Sequence, residues 1–192
     1  MIRIAVLGGV GSGKSYVAKQ FGYPVFNADS EVAKLYRKSR KCYNRLKKVL
    51  PAYIVSFPIK KNEIYKAIIA DKWNLKKIVK IVHPEVRSSM NNFVKKNKSK
   101  KFVILDIPLL IENKINKKND VLIFVNAKKK EINKRLKKRP NINLKILEKL
   151  KKIQLPREFK KKQSDFIIKN NFRNNFVKKN VKKVLEKILL NA

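Results

Sequence analysis

Residues 8–15 read Gly8-Gly9-Val10-Gly11-Ser12-Gly13-Lys14-Ser15, and no other stretch constrains this chain as strongly. It satisfies G-x-x-x-x-G-K-[ST], the phosphate-binding loop pattern, which carries meaning only between a strand and a helix. Ile2-Arg3-Ile4-Ala5-Val6-Leu7 before it is mostly apolar and β-prone, and reads as a buried strand. Ser15-Tyr16-Val17-Ala18-Lys19-Gln20-Phe21 after it sets Val17, Ala18 and Phe21 at helical spacing. The glycines let successive backbone N–H groups turn toward one anion, and the start of the helix adds partial positive charge there. In such a loop Lys14 reaches the β- and γ-phosphates of a nucleotide, and the Ser15 hydroxyl ligates Mg²⁺.

The remaining periodicity extends this unit into an α/β fold. Pro24 to Ala28 reads as a second strand ending at Asp29, and Ser30 to Tyr36 as a helix with Val32, Leu35 and Tyr36 on one face. From about residue 39 to about residue 98 only helical stripes occur. They are Tyr43, Leu46, Val49 and Leu50; then Ile64, Ala67 and Ile68; then Leu75, Ile78, Val79 and Val82. Pro84 is placed to open a further helix as its first residue. This region reads as a helical insert between the second and third strands. Strands resume at Phe102–Ile107, Val121–Val125 and Phe166–Ile168. Helices are expected from Glu131 to Lys138, from Leu144 to Ile153 with positions 144, 147, 150 and 153 on one side, and over Val177 to Ile188. Alternation of this kind predicts a mostly parallel five-stranded sheet covered on both faces, with ligands at the carboxyl ends of the strands.

Those ends carry the loop, Asp29 and Asp106. A carboxylate at position 29 can accept a proton from an attacking hydroxyl in phosphoryl transfer, and an aspartate there also suits a helix N-cap. Asp106 ends an apolar strand and can hold Mg²⁺ through water, or serve as a turn residue before Pro108. Arg135 and Arg139 are four apart, on one helix face if the helix persists. They can clamp polyphosphate oxygens, or lie on a solvated face. His83 is the sole histidine, and with Cys42 the sole cysteine no His- or Cys-based metal cluster and no intramolecular disulfide is expected.

Charge is the one compositional extreme. Fifty Lys and Arg oppose thirteen Asp and Glu, for a net charge of +37. Such a balance suits anionic partners, yet the lysines run from end to end rather than in one arm, and no aromatic stacking platform accompanies them. Specific nucleic-acid binding is therefore not expected. No apolar run reaches membrane-spanning length, and Met1 leads directly into the first strand, so a cytoplasmic protein is expected.

The combination of motifs resembles one family. The loop, then Asn27-Ala28-Asp29, His83-Pro84 and Asp106-Ile107-Pro108-Leu109-Leu110-Ile111-Glu112, resemble the dephospho-CoA kinases. Arg135 with Arg139, Gln154-Leu155-Pro156 and Asp165 to Asn170 follow in the same order. The resemblance implies a P-loop kinase that phosphorylates the 3′-hydroxyl of dephospho-CoA with ATP and Mg²⁺; a monomer is expected. It implies a core over about 1–38, 99–127 and 156–192, a substrate-binding insert over about 39–98 and a lid over about 128–155. It places Gly8, Gly9, Val10, Gly11, Ser12, Gly13, Lys14, Ser15, Tyr16, Arg135 and Arg139 on the nucleotide, and Asp29, His83, Asp106 and Leu109 toward the acceptor. Asp29, Lys14 and Arg139 would be catalytic, and Ser15 with Asp106 would hold the metal. Leu7 and Tyr16 stand where the family commonly has Thr, and Lys60-Lys61 where an Asp-Arg pair is typical.

Other readings share the loop. A different small-molecule or nucleoside monophosphate kinase would not require Pro108-Leu109-Leu110-Ile111-Glu112. A GTP-binding switch would need Asp at position 119 of Asn116-Lys117-Lys118-Asn119, and a glycine after Asp106-Ile107-Pro108. A basic nucleic-acid-dependent ATPase would account for the charge.

Overall fold

The computed structural model describes residues 1–138 and 143–190. Its centre is β1 (Ile2–Leu7), buried at every position but the first, as its mostly apolar run requires. The other strands are β2 (Val25–Asn27), β3 (Phe102–Asp106), β4 (Val121–Ala127) and β5 (Phe166–Asn170). All pairings are parallel, in the order β2-β3-β1-β4-β5. From β1 the chain runs outward to β3 and β2 on one side and later to β4 and β5 on the other. The loop after β1 therefore leaves the sheet at its topological switch point, where ligands of open α/β sheets bind.

The chain divides into two compact units, residues 1–27 with 97–192, and residues 28–96. The first holds the sheet, α1 (Lys14–Gln20), α6 (Lys129–Lys137), α7 (Leu144–Lys152), α8 (Arg157–Lys162) and α9 (Asn174–Leu190). Its core joins Ile4, Val6, Ile104, Ile123 and Ile168 of the sheet to Val17 of α1 and to Val177, Val181, Val184 and Ile188 of α9. Those four positions of α9 recur at the spacing of one helical face, as the sequence predicts. At the amino end of β1, Arg3 forks onto Asp120, with Nε–Oδ1 and Nη2–Oδ2 distances of 2.9 Å each. Burial raises the Asp120 pKa, while the Lys117 amide and Arg3 oppose that rise.

The second unit is helical: α2 (Ala28–Lys38), α3 (Arg40–Val49), α4 (Lys61–Ala70) and α5 (Lys72–Lys96). Cys42, Leu46, Ile54, Ile64, Ala67, Ile78 and Val82 form its core. Ser39 caps α3 by accepting from the Cys42 amide at 3.1 Å. Burial pushes the Tyr36 phenol and the Cys42 thiol up.

Four local expectations change. Pro84 does not open a helix: α5 runs continuously through it. The proline lacks an N–H and crowds the carbonyl four residues back, but buried Ile78, Ile81 and Val82 on one side and Met90 on the other hold both halves in place. The second strand ends at Asn27, and Asp29 lies in the first turn of α2, where its charge suits the helix dipole. Ile153 falls just beyond α7 and is exposed, while Ile146 and Leu147 supply the buried side of that helix. The six-residue α8 was not expected from the pattern. Among the described residues no helix is long and apolar enough to cross a membrane.

Candidate active site

The loop has the backbone its glycines allow. Gly8, Gly11 and Gly13 take φ values of +149°, +79° and +87°. Gly13 is the position where this matters most. A Cβ there would stand 2.4 Å from Asn170 Nδ2 as well as in the left-handed region, so no other residue fits. Gly13 is also the N-cap of α1, and no side chain caps that end. The start of α1 therefore faces the loop without a capping side chain, and a helix start of that kind suits an anion.

Side chains brace this loop from three directions. Lys14 Nζ donates to the Gly9 carbonyl at 3.0 Å, so the ammonium lies across the loop it belongs to. Asn170, the last residue of β5, donates from Nδ2 to the Ser12 carbonyl at 2.8 Å and accepts the Phe172 amide at 2.8 Å. Ser12 is 2% exposed, and its Oγ is buried without a hydrogen-bond partner. Tyr16, on the exposed side of α1, donates from its hydroxyl to Asn174 Oδ1 at 2.6 Å. Ser15 is exposed in the first turn of α1.

Asp106 ends β3 and is 2% exposed. Its neighbour Leu105 lies beside Ala5 of β1, so the carboxylate comes at the sheet edge from which the loop departs. Across the other pairing Asp106 is in register with Asn27, whose Nδ2 donates to Oδ2 at 2.5 Å. Asn27 thereby fixes the rotamer of the buried carboxylate. Asp29 follows two residues later and is exposed. Leu109 sits in the turn after β3 with φ +58°, and its carbonyl accepts from Asn113.

The segment after β4 contributes a cation. Arg135, exposed on α6, holds its guanidinium 4.5 Å from the centre of the Phe172 ring. Arg139 lies outside the described residues. Glu112, partly buried, pairs with buried Lys160 of α8 at 2.7 Å and accepts the Leu155 amide at 3.1 Å, tying residues 155–160 to the turn after β3. His83 is half-buried on α5, in an open depression of about 570 Å³ that Lys80, Arg87 and Asn91 also line. Burial first, and Arg87 second, lower its pKa from the ordinary 6.5.

The structure thus gathers residues 8–16 and Asp106 at one edge of one sheet. It adds two residues that the sequence reading assigned no role, Asn170 and Asn27. Both are strand-terminal asparagines facing the ligand edge, and that position was the available signal. Among the described residues no group of three or more His, Cys, Asp or Glu is placed to hold a metal. What this edge offers is the exposed Ser15 hydroxyl and the one Asp106 carboxylate that Asn27 orients.

Comparison with known proteins agrees with this geometry. Residues 2–175 match the dephospho-CoA kinase family. The dephospho-CoA kinase of Wolbachia pipientis wMel is 36% identical over 170 residues, which cover 86% of this chain and 87% of that protein. That of Bartonella quintana is 34% identical over equal shares of both chains. A crystal structure of a Thermus thermophilus protein superposes with a TM-score of 0.78 at 26% identity, covering 99% of this chain and 97% of the other. The dephospho-CoA kinase of Campylobacter jejuni shares the fold, with a TM-score of 0.62 at 21% identity, covering 97% of this chain and 96% of that one. A phosphate-binding loop at the switch point of a parallel sheet, a buried aspartate on the neighbouring strand and a match running from residue 2 to residue 175 lead to one conclusion: the chain belongs to the dephospho-CoA kinase family.

Proposed function

We propose that this chain transfers the γ-phosphoryl group of ATP to the 3′-hydroxyl of dephospho-CoA, with Asp29 as the proton acceptor. The observation that carries the reading is the loop itself, with its left-handed glycines, its uncapped helix start and Lys14 drawn across it. Bound there, the phosphate chain accepts hydrogen bonds from the loop amides. Lys14 neutralises charge on the β- and γ-oxygens.

Ser15 and Asp106 would hold Mg²⁺, which would neutralise negative charge developing on the phosphate oxygens. Asn27 keeps Asp106 in the rotamer that does so. Arg135, with Arg139 four residues on, neutralises phosphate charge from residues 128–155, which act as the lid. Residues 39–98 take the acceptor. His83 lies there between Lys80 and Arg87, a setting suited to an anionic substrate. Asp29 accepts the hydroxyl proton as the phosphorus–oxygen bond forms, and the γ-phosphorus to bridging-oxygen bond breaks to release ADP. Every residue named comes from one chain, consistent with a monomer, and we place the reaction in the cytoplasm. Nucleic acid has no part in it.

The test is turnover with ATP against dephospho-CoA and a panel of nucleoside monophosphates, for wild type and Asp29→Asn. Dephospho-CoA should be the preferred acceptor. Asn retains the shape of Asp but cannot take the proton. The variant should therefore bind ATP normally and lose about 10²–10³-fold in kcat, the lower half of the range for a general base. A variant within about threefold of wild type, well under that range, would leave Asp29 structural.

A further inference from the structure

We infer that Asn170 is a positioning residue for nucleotide binding: it sets the Ser12–Gly13 peptide so that the Gly13 N–H faces the phosphates. This rests on the phosphate-loop reading above and adds to it a residue 158 positions away in the chain.

Three observations meet at this side chain. Asn170 is 4% exposed, at the last position of β5 and in register with Ala127 of β4, hence at the carboxyl edge of the sheet. Both ends of its amide are used: Nδ2 donates to the Ser12 carbonyl and Oδ1 accepts from the Phe172 amide, each at 2.8 Å. Its Nδ2 also fills the space a Cβ of residue 13 would need. The second bond orients the amide, so that its N–H₂ rather than its oxygen meets Ser12.

The consequence follows from peptide geometry. In a planar trans peptide the C=O and the next N–H point in opposite directions. A donor that holds the Ser12 carbonyl on the β5 side therefore turns the Gly13 N–H to the other side. Phosphate-binding loops work because such amides converge on one anion. Gly13 has no Cβ, so the peptides on either side of it have a wider range of orientations than at other residues. Asn170 supplies a restraint from a different strand, and Gly13 supplies the space for it.

The full chain with Asn170→Asp tests this. Asp has the same shape and still accepts from Phe172, but its carboxylate cannot donate to the Ser12 carbonyl. The dissociation constant for ATP should rise about tenfold, the scale of one lost oriented hydrogen bond, and the KM for ATP with it. The KM for the acceptor substrate should stay within about twofold, below the scale of one such bond. A purely structural role would lower the melting temperature and leave this split absent. A folded variant with wild-type ATP affinity overturns the inference while leaving the phosphate-loop reading intact. Wild-type protein that binds no ATP overturns both. Should the variant not fold, the wild type decides through the NMR signals of the Asn170 side-chain amide. Protection from hydrogen exchange and a shift on saturation with ATP support the inference. An unprotected, unmoved signal overturns it.

Discussion

A methyl group added at position 13 would meet Asn170 Nδ2 at 2.4 Å, whereas Leu46 and Ile54, wholly buried in the helical unit, could be approximated by other apolar side chains of similar volume. The contrast separates the two units. In the sheet unit a few residues are fixed by backbone geometry and by single hydrogen bonds over long sequence separations. In the helical unit, side chains are fixed by periodic burial. Single-atom constraints belong to the unit that carries the phosphate loop, and volume constraints to the other. A change in the first should therefore cost activity before stability, and a change in the second core stability before activity.

Lys14→Ala should show the largest effect. Its ammonium can be removed without opening a cavity in either core, so circular dichroism should match wild type while turnover falls by about 10³-fold, as for other removed charge-stabilising groups. Loss of the fold instead would erase the contrast at its strongest point. Leu46→Ala should behave in the opposite way. A fully buried leucine truncated to alanine costs about 2–5 kcal/mol, read by urea unfolding, with kcat of the folded fraction near wild type. A large fall in kcat at unchanged stability would show that the helical core tunes the chemistry directly. The smallest effect should come from His83. Its folded pKa lies below 6.5, so the fold favours the neutral ring. That contribution is present above pH 6.5 and is lost as the pH falls from 6.5 through the folded value, because the unfolded chain then binds the proton more readily. Unfolding midpoints measured across that window should slope downward toward acid, and His83→Gln should flatten the slope. An unchanged slope would assign it to other groups.

Legibility in the sequence divides along the same line. Strand β1, the loop and α1 were readable because each element restricts the next, and the α9 stripe was readable because four valine and isoleucine positions repeat at helical spacing. Pro84 was misread because a local rule about proline was overridden by burial on both sides of it. The short α8 gave no stripe to find, although it carries buried Lys160 against Glu112. Asn170 enters the sequence reading only as the end of the Asp165 to Asn170 segment. Asparagine is common along this chain, and nothing local distinguishes the one whose partner lies at Ser12. Asp29 was placed at a strand end, and the helix begins one residue earlier instead.

The Arg3 fork onto Asp120 limits how this sequence can drift. Nine of the fifty basic residues are arginine and forty-one are lysine, so exchange of arginine for lysine leaves the net charge at +37 and looks silent in any compositional measure. At position 3 it would not be silent. Lysine offers a point charge where the guanidinium sets two nitrogens against the two carboxylate oxygens, one of them in a hydrogen bond, and the buried carboxylate would lose one of those contacts. Replacement of Asp120 alone would strand the arginine in the same way, since removing one partner of a buried pair costs far more than replacing both with apolar residues. Positions 3 and 120 are therefore expected to change together or not at all, even in a lineage whose other basic residues are free to become lysine.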